Sequence, residues 1–522
     1  MSGKTFLEER LAMEGGLWSW MGSFLTQFFH YPALGALILV GVWTATYYLT
    51  IDAFRLKGYR QYFAWIPAFA LLVSVLQLGY WLFYIKMPGY WFSQSLSLLA
   101  AVLITWILVR LSAFVTKKNL AWLFFIAAYF AVQQRFPAFQ SREYENHIMQ
   151  IPFVVAPLSI VLLPLTKYIK IKMPKQWMKH TAVGVYLLSL CTIAYLCSFR
   201  YENYHSELRM IHAFDESRYE DVVKEAKKAK KPTNLMVVYK NIALMHTDKM
   251  TDMFKVNNCG HLPHVNDSLR VFVSQLGSSM VYYQFGQINF SYRWAVENAV
   301  EYGLRVWNLK MLIRCAIINH EFDAAAKYLT MMNSTTVFKS WARERSPMLT
   351  NQDKLTQSKE FKAIEPLLGD EANHLDMDDS MSEKWILNHY SDLIMQRPSA
   401  KLENLIMCTS LWTNDEYAFC IHFYNYVNNH KGQKVPELYQ QAAIMLCTSE
   451  RSPVTLNDYP FDQMIKSRYN NFCTEYQTLS QQGYDTKQIG QKMKKAYGDT
   501  YWWYYYFYTD FTIYRRINVN NR

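Results

Sequence analysis

Acidic residues are scarce in the first 200 positions, which hold 6 Asp or Glu against 17 Lys or Arg. Residues 201–522 hold 36 against 37, so a balance of +11 sits in the first part and only +1 in the second. The mean hydropathy of −0.10 therefore averages two unlike halves. Four apolar stretches contain no Asp, Glu, Lys or Arg: Pro32–Ile51, Tyr62–Tyr84, Tyr90–Val109 and Thr181–Phe199. Proton relays and coupled transporters place ionisable groups inside their spans, so this absence argues against transport. The basic residues fall in short loops between apolar runs and not on one polar domain, which argues against nucleic-acid binding. None of the 8 cysteines forms a CxxC pair. No constellation specifies a reaction, and no cofactor is expected.

What is present is length and apolarity. Pro32–Ile51 is 20 residues, enough at 1.5 Å per residue to cross a hydrocarbon core of about 30 Å. Its eight Leu, Ile and Val residues favour insertion by roughly 2–5 kcal/mol before polar penalties. Two further segments are less regular: Asn119–Gln134 is short, and Ile151–Thr166 carries Pro152, Pro157 and Pro164, each lacking a backbone donor. Counting both gives six spans and puts loops 52–61, 110–118 and 167–179 on one side with 3, 3 and 5 basic residues. The positive-inside rule then places these loops in the cytoplasm and both termini outside it. Polar residues such as Gln77, Ser93, Gln94, Ser95 and Ser97 read as hydrogen-bond partners between helices. Upstream, Gly15–Tyr31 is uncharged and aromatic, and the MSGKTFLEER start lacks the basic pattern of a signal peptide, so residues 1–31 read as a tail with an interfacial helix carrying Trp18 and Trp20.

After Phe199 the sequence takes on charged, helix-period patterning. HAFDESRYEDVVKEA around Tyr219, IINHEFDAAAKYL around Phe322 and SLWTNDEYAFCIHFY around Tyr417 share one plan: a helix end, a polar turn, an aromatic, then small residues. Such units resemble tetratricopeptide-like helix-turn-helix repeats, with Ala326 and Cys420 as the small residues of close approach, although the usual turn glycine is missing. Amphipathic stretches at Asn234–His246, Ser291–Tyr302, Pro436–Cys447 and Phe461–Gln482 predict further helix pairs. Residues 200–496 thus read as a repeat domain. Residues 497–522 read as an aromatic-rich terminal helix, with Tyr501–Tyr508 forming eight consecutive aromatics. That helix is expected to wedge against the array or the membrane surface, the alternative being a stacking platform for sugars or peptides.

Chemistry has few candidates. Cys259 with His261 and His264 lacks a fourth zinc ligand, and Asp376, Asp378 and Asp379 lack the glycine and spacing of a calcium loop, so no metal is expected. An external location would permit disulfides, while burial on helix faces would equally suit core thiols. REYENH at Arg142–His147 and RYENYH at Arg200–His205 both follow apolar segments on the expected outer side. Glu143, Glu145, His147, Glu202 and His205 are the candidate catalytic residues if they meet there, and interface anchors otherwise.

YENYHSELRMIHAF, NLMVVYKNIALM, FGQINFSYRWAVENAVEYG, INHEFDAAAKYL and TYWWYYYFY together resemble a family of uncharacterised multi-pass membrane proteins from Gram-negative anaerobes. The resemblance covers most of the chain, and implies an inner-membrane protein with a tetratricopeptide-like carboxyl-terminal region and no transferable catalytic residues. HTDKMTDMF at His246–Phe254 departs from the turn associated with such relatives. The expectation is an all-α protein: a transmembrane bundle over 32–199, about six spans, then a soluble helical-repeat domain. Its expected partners are the lipid bilayer and a protein or peptide, with no nucleic acid. Its expected role is a scaffold at the cell envelope rather than an enzyme. An enzyme acting on lipid-linked or envelope glycans is the alternative, and a transporter comes third.

Overall fold

A computed structural model describes residues 7–8, 11, 16–79, 90–111, 120–133, 147–169, 176–201, 203–230, 232–254, 273–302, 304–369, 393–395, 397–412, 415–448 and 452–507 apart from 455, 457 and 458. These residues form helices and no strand. The first part holds α1 (Gly16–Thr26), α2 (Pro32–Ala53), α3 (Trp65–Leu76), α4 (Tyr90–Leu111), α5 (Ala121–Gln133), α6 (His147–Leu162) and α7 (Gln176–Cys197). Pro32 opens α2 at the position where its missing donor costs nothing and its fixed φ suits a helix.

Four helical stretches among the described residues are long and apolar enough to cross a membrane, against the six expected: Pro32–Ala53, Phe92–Leu111, Ile151–Tyr168 and His180–Cys197. Of the Tyr62–Tyr84 run, described as far as Gly79, α3 takes 12 residues, preceded by a 3-10 segment at Gly58–Ala64. It ends there because Phe199 N–H donates to Leu76 O, capping a carbonyl the helix would otherwise use, while Gly79 turns the chain at φ +45° against the Phe199 ring. Helix α5 has 13 residues, about 20 Å, short of the hydrocarbon thickness. The proline-bearing run does qualify. Pro152 and Pro157 are accommodated inside α6, and Pro164 starts the 3-10 turn Leu163–Tyr168 that prolongs it.

The bundle is inverted relative to a soluble core. No residue of the His180–Cys197 window is buried, and Leu188 and Leu196 stand about two-thirds exposed, as lipid-facing side chains do. The small inner core gathers Leu71, Ala101, Val102, Phe125, Ala156 and Ile160. Several of its hydroxyls bond at short range: Thr46, Thr50 and Thr105 donate to carbonyls four residues back, and Ser97 to Gln94 O. Between helices, Trp43 Nε1 donates to Ser95 Oγ at 3.5 Å.

Described residues of the basic loops, Arg60, Arg110 and Lys167, collect at one end of the bundle. Trp106 Nε1 donates to Asp52 Oδ2 at 2.6 Å, where Arg110 also pairs, and Arg60 Nε donates to Thr166 Oγ1 at 2.9 Å beside the bond from Tyr59 to Ile169 O. The ends of α2, α4 and α6 therefore adjoin the start of the α3 segment. At the other end, Tyr204 OH donates to Gly79 O, Phe29 meets Phe92, Thr336 N–H donates to Gln27 Oε1, and His30 packs edge-on to Phe338. There the polar part docks.

That part begins with α8 (Tyr204–Asp215), α9 (Tyr219–Ala226), α10 (Asn234–His246), α11 (Val273–Gln284), α12 (Ile288–Tyr302), α13 (Val306–Ile318) and α14 (Phe322–Asn333). It continues with α15 (Lys339–Arg345), α16 (Gln352–Thr356), α17 (Lys359–Ile364), α18 (Ala400–Trp412), α19 (Glu416–Asn429), α20 (Glu437–Leu446), α21 (Gln463–Gln481), α22 (Thr486–Tyr497) and α23 (Tyr501–Phe507). Consecutive helices pack on one another from α8 to α15 and from α18 to α23. Two of the three sequence units are helix–turn–helix elements, and the third takes in α18 and α19 with residues 413–414 between them outside the described residues. The missing turn glycine is replaced by Ser217 at φ +53° and His320 at φ +59°, with Asp248 at φ +55° after α10. Each turn closes with a bond from the next amide to the carbonyl five residues back: Arg218 to Ala213, Lys249 to Leu244, Glu321 to Ala316. Cys420 is buried as expected, but Ala326 is exposed, and the helix turns Ala325, Leu329 and Met332 inward instead.

The aromatic run is a wedge. Tyr501, Trp502, Trp503 and Tyr504 are buried. Trp502 Nε1 donates to Gln441 O at 2.7 Å, Trp503 Nε1 to Gly490 O at 2.9 Å, and Tyr501 N–H to Gln441 Oε1 at 3.0 Å. The helix thereby ties α20 to α22, and Phe254 packs edge-on against Tyr501 and Tyr504.

An exposed L-residue in the left-handed region carries a penalty of about 1 kcal/mol that glycine avoids. His320→Gly is therefore expected to raise unfolding stability by about 1 kcal/mol, read as a higher melting temperature in detergent. His320→Ala should give no such gain, and a gain as large from alanine would refute the turn assignment.

Candidate functional site

Helix α13 reads VWNLKMLIRCAII, two cations four residues apart in an apolar sequence, so Lys310 and Arg314 leave the same face. Both reach Asp215, the last residue of α8. Lys310 Nζ donates to its Oδ2 at 2.5 Å, and Arg314 Nη1 to its Oδ1 at 2.9 Å. Arg314 Nη2 also donates to Asp215 O at 3.0 Å, covering a carbonyl that the helix end leaves unpaired. On its other side Arg314 pairs with Glu360 on α17, and Arg345 on α15 donates to Glu360 Oε2 at 3.1 Å. Trp341 lies among the three cations, with the Arg345 guanidinium 3.8 Å from its ring centroid, Lys310 5.5 Å and Arg314 5.6 Å.

Three cations thus meet two carboxylates in a cluster where Arg314 is only 4% exposed. A cavity of about 230 Å³ opens beside it, lined among others by Tyr283, Glu344, Leu355, Ser358 and Lys359. Burial would raise the Asp215 carboxyl, but Arg314 and Lys310 outweigh it and hold it at about 2. Burial also pushes the Tyr283 hydroxyl well above its ordinary range. Neither group exchanges a proton near neutral pH, so the arrangement suits holding charge in place better than acid–base catalysis. The cluster backs onto the docked bundle: Lys310 lies 5.1 Å from the Phe338 ring, which meets His30.

The sequence candidates fall elsewhere. Glu143, Glu145 and Glu202 lie outside the described residues, as do Cys259, His261, His264, Asp376, Asp378 and Asp379. His147 opens α6, and His205 is exposed near the start of α8 with its ring edge-on to Tyr204. Helices α3 and α6 pack antiparallel, since Tyr59 and Arg60 meet Ile169 and Thr166 at one end. The start of α6 therefore shares the bundle end where Phe199 and Tyr204 meet α3. The described residues hold no group of three or more His, Cys, Asp or Glu suited to a metal. The Asp215 cluster was not among the sequence candidates. Its one sequence signal is the cation pair at i and i+4 inside the apolar α13.

Removing one partner of a buried pair leaves the other charge uncompensated. Asp215→Asn is expected to cost about 3 kcal/mol of unfolding stability. A carboxyl held below its unfolded value stabilises the fold above about pH 4 and loses that contribution, roughly 2–3 kcal/mol, as pH falls through 2. The variant should therefore show a flatter acid-unfolding curve over that window. Unchanged stability and an equally steep curve would contradict the cluster.

No curated protein and no solved structure matches the chain. Residues 1–508 match a family of unknown function (DUF6057), a match that takes in the apolar bundle, the docked polar half and the aromatic wedge alike. The chain belongs to that family.

Proposed function

We propose that this protein is a membrane-anchored scaffold whose stacked polar helices hold a polypeptide partner at the cell envelope. The supporting observation is the docking of the polar half at the bundle end opposite Arg60, Arg110 and Lys167, which belong to the basic loops. Under the positive-inside rule those loops face the cytoplasm, which puts the stacked helices on the periplasmic side of a bacterial inner membrane. Helix pairs that stack on their neighbours present extended surfaces suited to polypeptides, and the three similar sequence units favour a tetratricopeptide-like reading of that stack. The cavity beside Arg314 offers both signs of charge at its lining, Glu344 with Lys359, which suits a polypeptide bearing both. A second reading, an enzyme acting on lipid-linked or envelope glycans, is favoured by the backbones of His147 and His205 sharing one bundle end.

One experiment separates them. A photocrosslinking amino acid replaces Ser358 at the cavity, with a control at exposed Tyr417, in living cells. The scaffold reading expects a discrete polypeptide adduct from position 358 only, reduced several-fold by Glu344→Lys with Lys359→Glu. A glycolipid adduct would favour the second reading, and no adduct from a normally folded protein would contradict the first.

A further inference from the structure

Two thiols face each other inside the polar half. Cys420 on α19 is 1% exposed and Cys447, just past α20, is 0% exposed. Cys447 Sγ donates to Cys420 Sγ at 2.9 Å, across 27 residues of sequence. The packing of α19 on α20 creates this approach, and Cys447 is fixed by its own amide donating to Ala443 O at 2.8 Å. Other buried cysteines behave differently. Cys315 donates to the Ser291 hydroxyl at 3.4 Å, and Cys408 lies 3.6 Å from the Tyr439 hydroxyl. These are core thiols partnered by oxygen, and burial pushes Cys408 up to about 12. Cys420 accepts a hydrogen bond from the second thiol, which holds its own thiol below the usual cysteine range. A lowered thiol is the one that attacks first.

We propose that Cys420 and Cys447 are closed into a disulfide in the mature protein by exchange with an oxidised dithiol protein or oxidised low-molecular-weight thiol. The Cys420 thiolate attacks one sulfur of the donor disulfide, forming a mixed disulfide and expelling one donor thiolate. The Cys447 thiolate then attacks the Cys420 sulfur, expelling the second donor thiolate. Two protons leave the protein thiols, and two electrons reduce the donor. Because both sulfurs are buried, exchange takes place while α19 and α20 are still assembling. The bond fixes the end of α20, the helix whose Gln441 receives Tyr501 and Trp502, so it braces the seat of the aromatic wedge. The inference rests on the periplasmic placement proposed above, since the cytosol keeps thiols reduced.

The test starts with cells quenched in acid, with thiols blocked under denaturing conditions and the full-length protein digested for mass spectrometry. The expected result is a linked peptide pair containing Cys420 and Cys447, two hydrogens lighter than the dithiol, with Cys315 and Cys408 fully blocked. Purified protein should also melt several degrees lower in reductant, a response lost in Cys420→Ala with Cys447→Ala. Blocked Cys420 and Cys447 with no linked peptide would overturn the proposal. Oxidised glutathione supplied while the reduced protein is unfolded in denaturant and returned to detergent then locates the failure. Closure in vitro would fault the compartment and with it the membrane placement, whereas no closure would fault the pair itself.

Discussion

Hydrocarbon rejects unpaired charge at about 2.5–3.5 kcal/mol per ionised side chain at a helix centre, and the four described helices long and apolar enough to cross it carry charge only near their ends. The chain meets that penalty by moving its charges to the ends of its apolar helices. Asp52 lies at the last turn of α2, where Trp106 and Arg110 of α4 meet it. Arg60 and Lys167 lie at the same end, the first bonded to Thr166 and the second over the Tyr168 ring. Once the basic groups share one end, the alternation of helix direction leaves the other end for the polar half. Phe199, Gly79 and Tyr204 make that joint, and the bond from Phe199 to Leu76 fixes where α3 stops.

The polar half obeys a different constraint. Its helices are short, so each draws stability from its neighbours more than from itself. Chain reversal is supplied by left-handed residues, glycine at Gly286, Gly432 and Gly483 and others at Ser217, Asp248 and His320, and the last helix closes the stack with buried aromatics: Trp502 and Trp503 donate to α20 and α22, and the Tyr501 hydroxyl to Leu411 O of α18. Arg314 serves a comparable purpose between α8, α13 and α17. A buried guanidinium flanked by two carboxylates specifies one arrangement of those helices, because any other leaves charge unpaired. Trp341 gives the same cations an apolar surface to lie on.

Much of this was legible in the sequence where the determinant is local. Apolar runs gave α2, α4 and α7, and amphipathic period gave α10, α12, α20 and α21 to within a few residues. The wedge followed from eight aromatics that no single exposed face accommodates. What failed depends on residues far apart in sequence. Tyr62–Tyr84 reads as a full span because nothing within it announces that Phe199 will cap Leu76. Ile151–Thr166, by contrast, counts as a span despite three prolines and is one, because Pro164 falls at the start of a turn that lacks nothing by it. Ala325 and Ala326 are adjacent and alike, and only the phase fixed by Leu329 and Met332 selects the inner one. The Asp215 cluster joins four separated segments, and its members are ordinary surface residue types until burial gives them meaning.

The account turns on which side of the membrane each bundle end faces. Paired reporter fusions, alkaline phosphatase and a cytoplasmic fluorescent protein, joined after Lys57 and after Arg522 measure this directly. With the basic loops in the cytoplasm, the fusion at 57 fluoresces without phosphatase activity, and the fusion at 522 shows phosphatase activity without fluorescence. Fluorescence at 522, or phosphatase activity at 57, would contradict it.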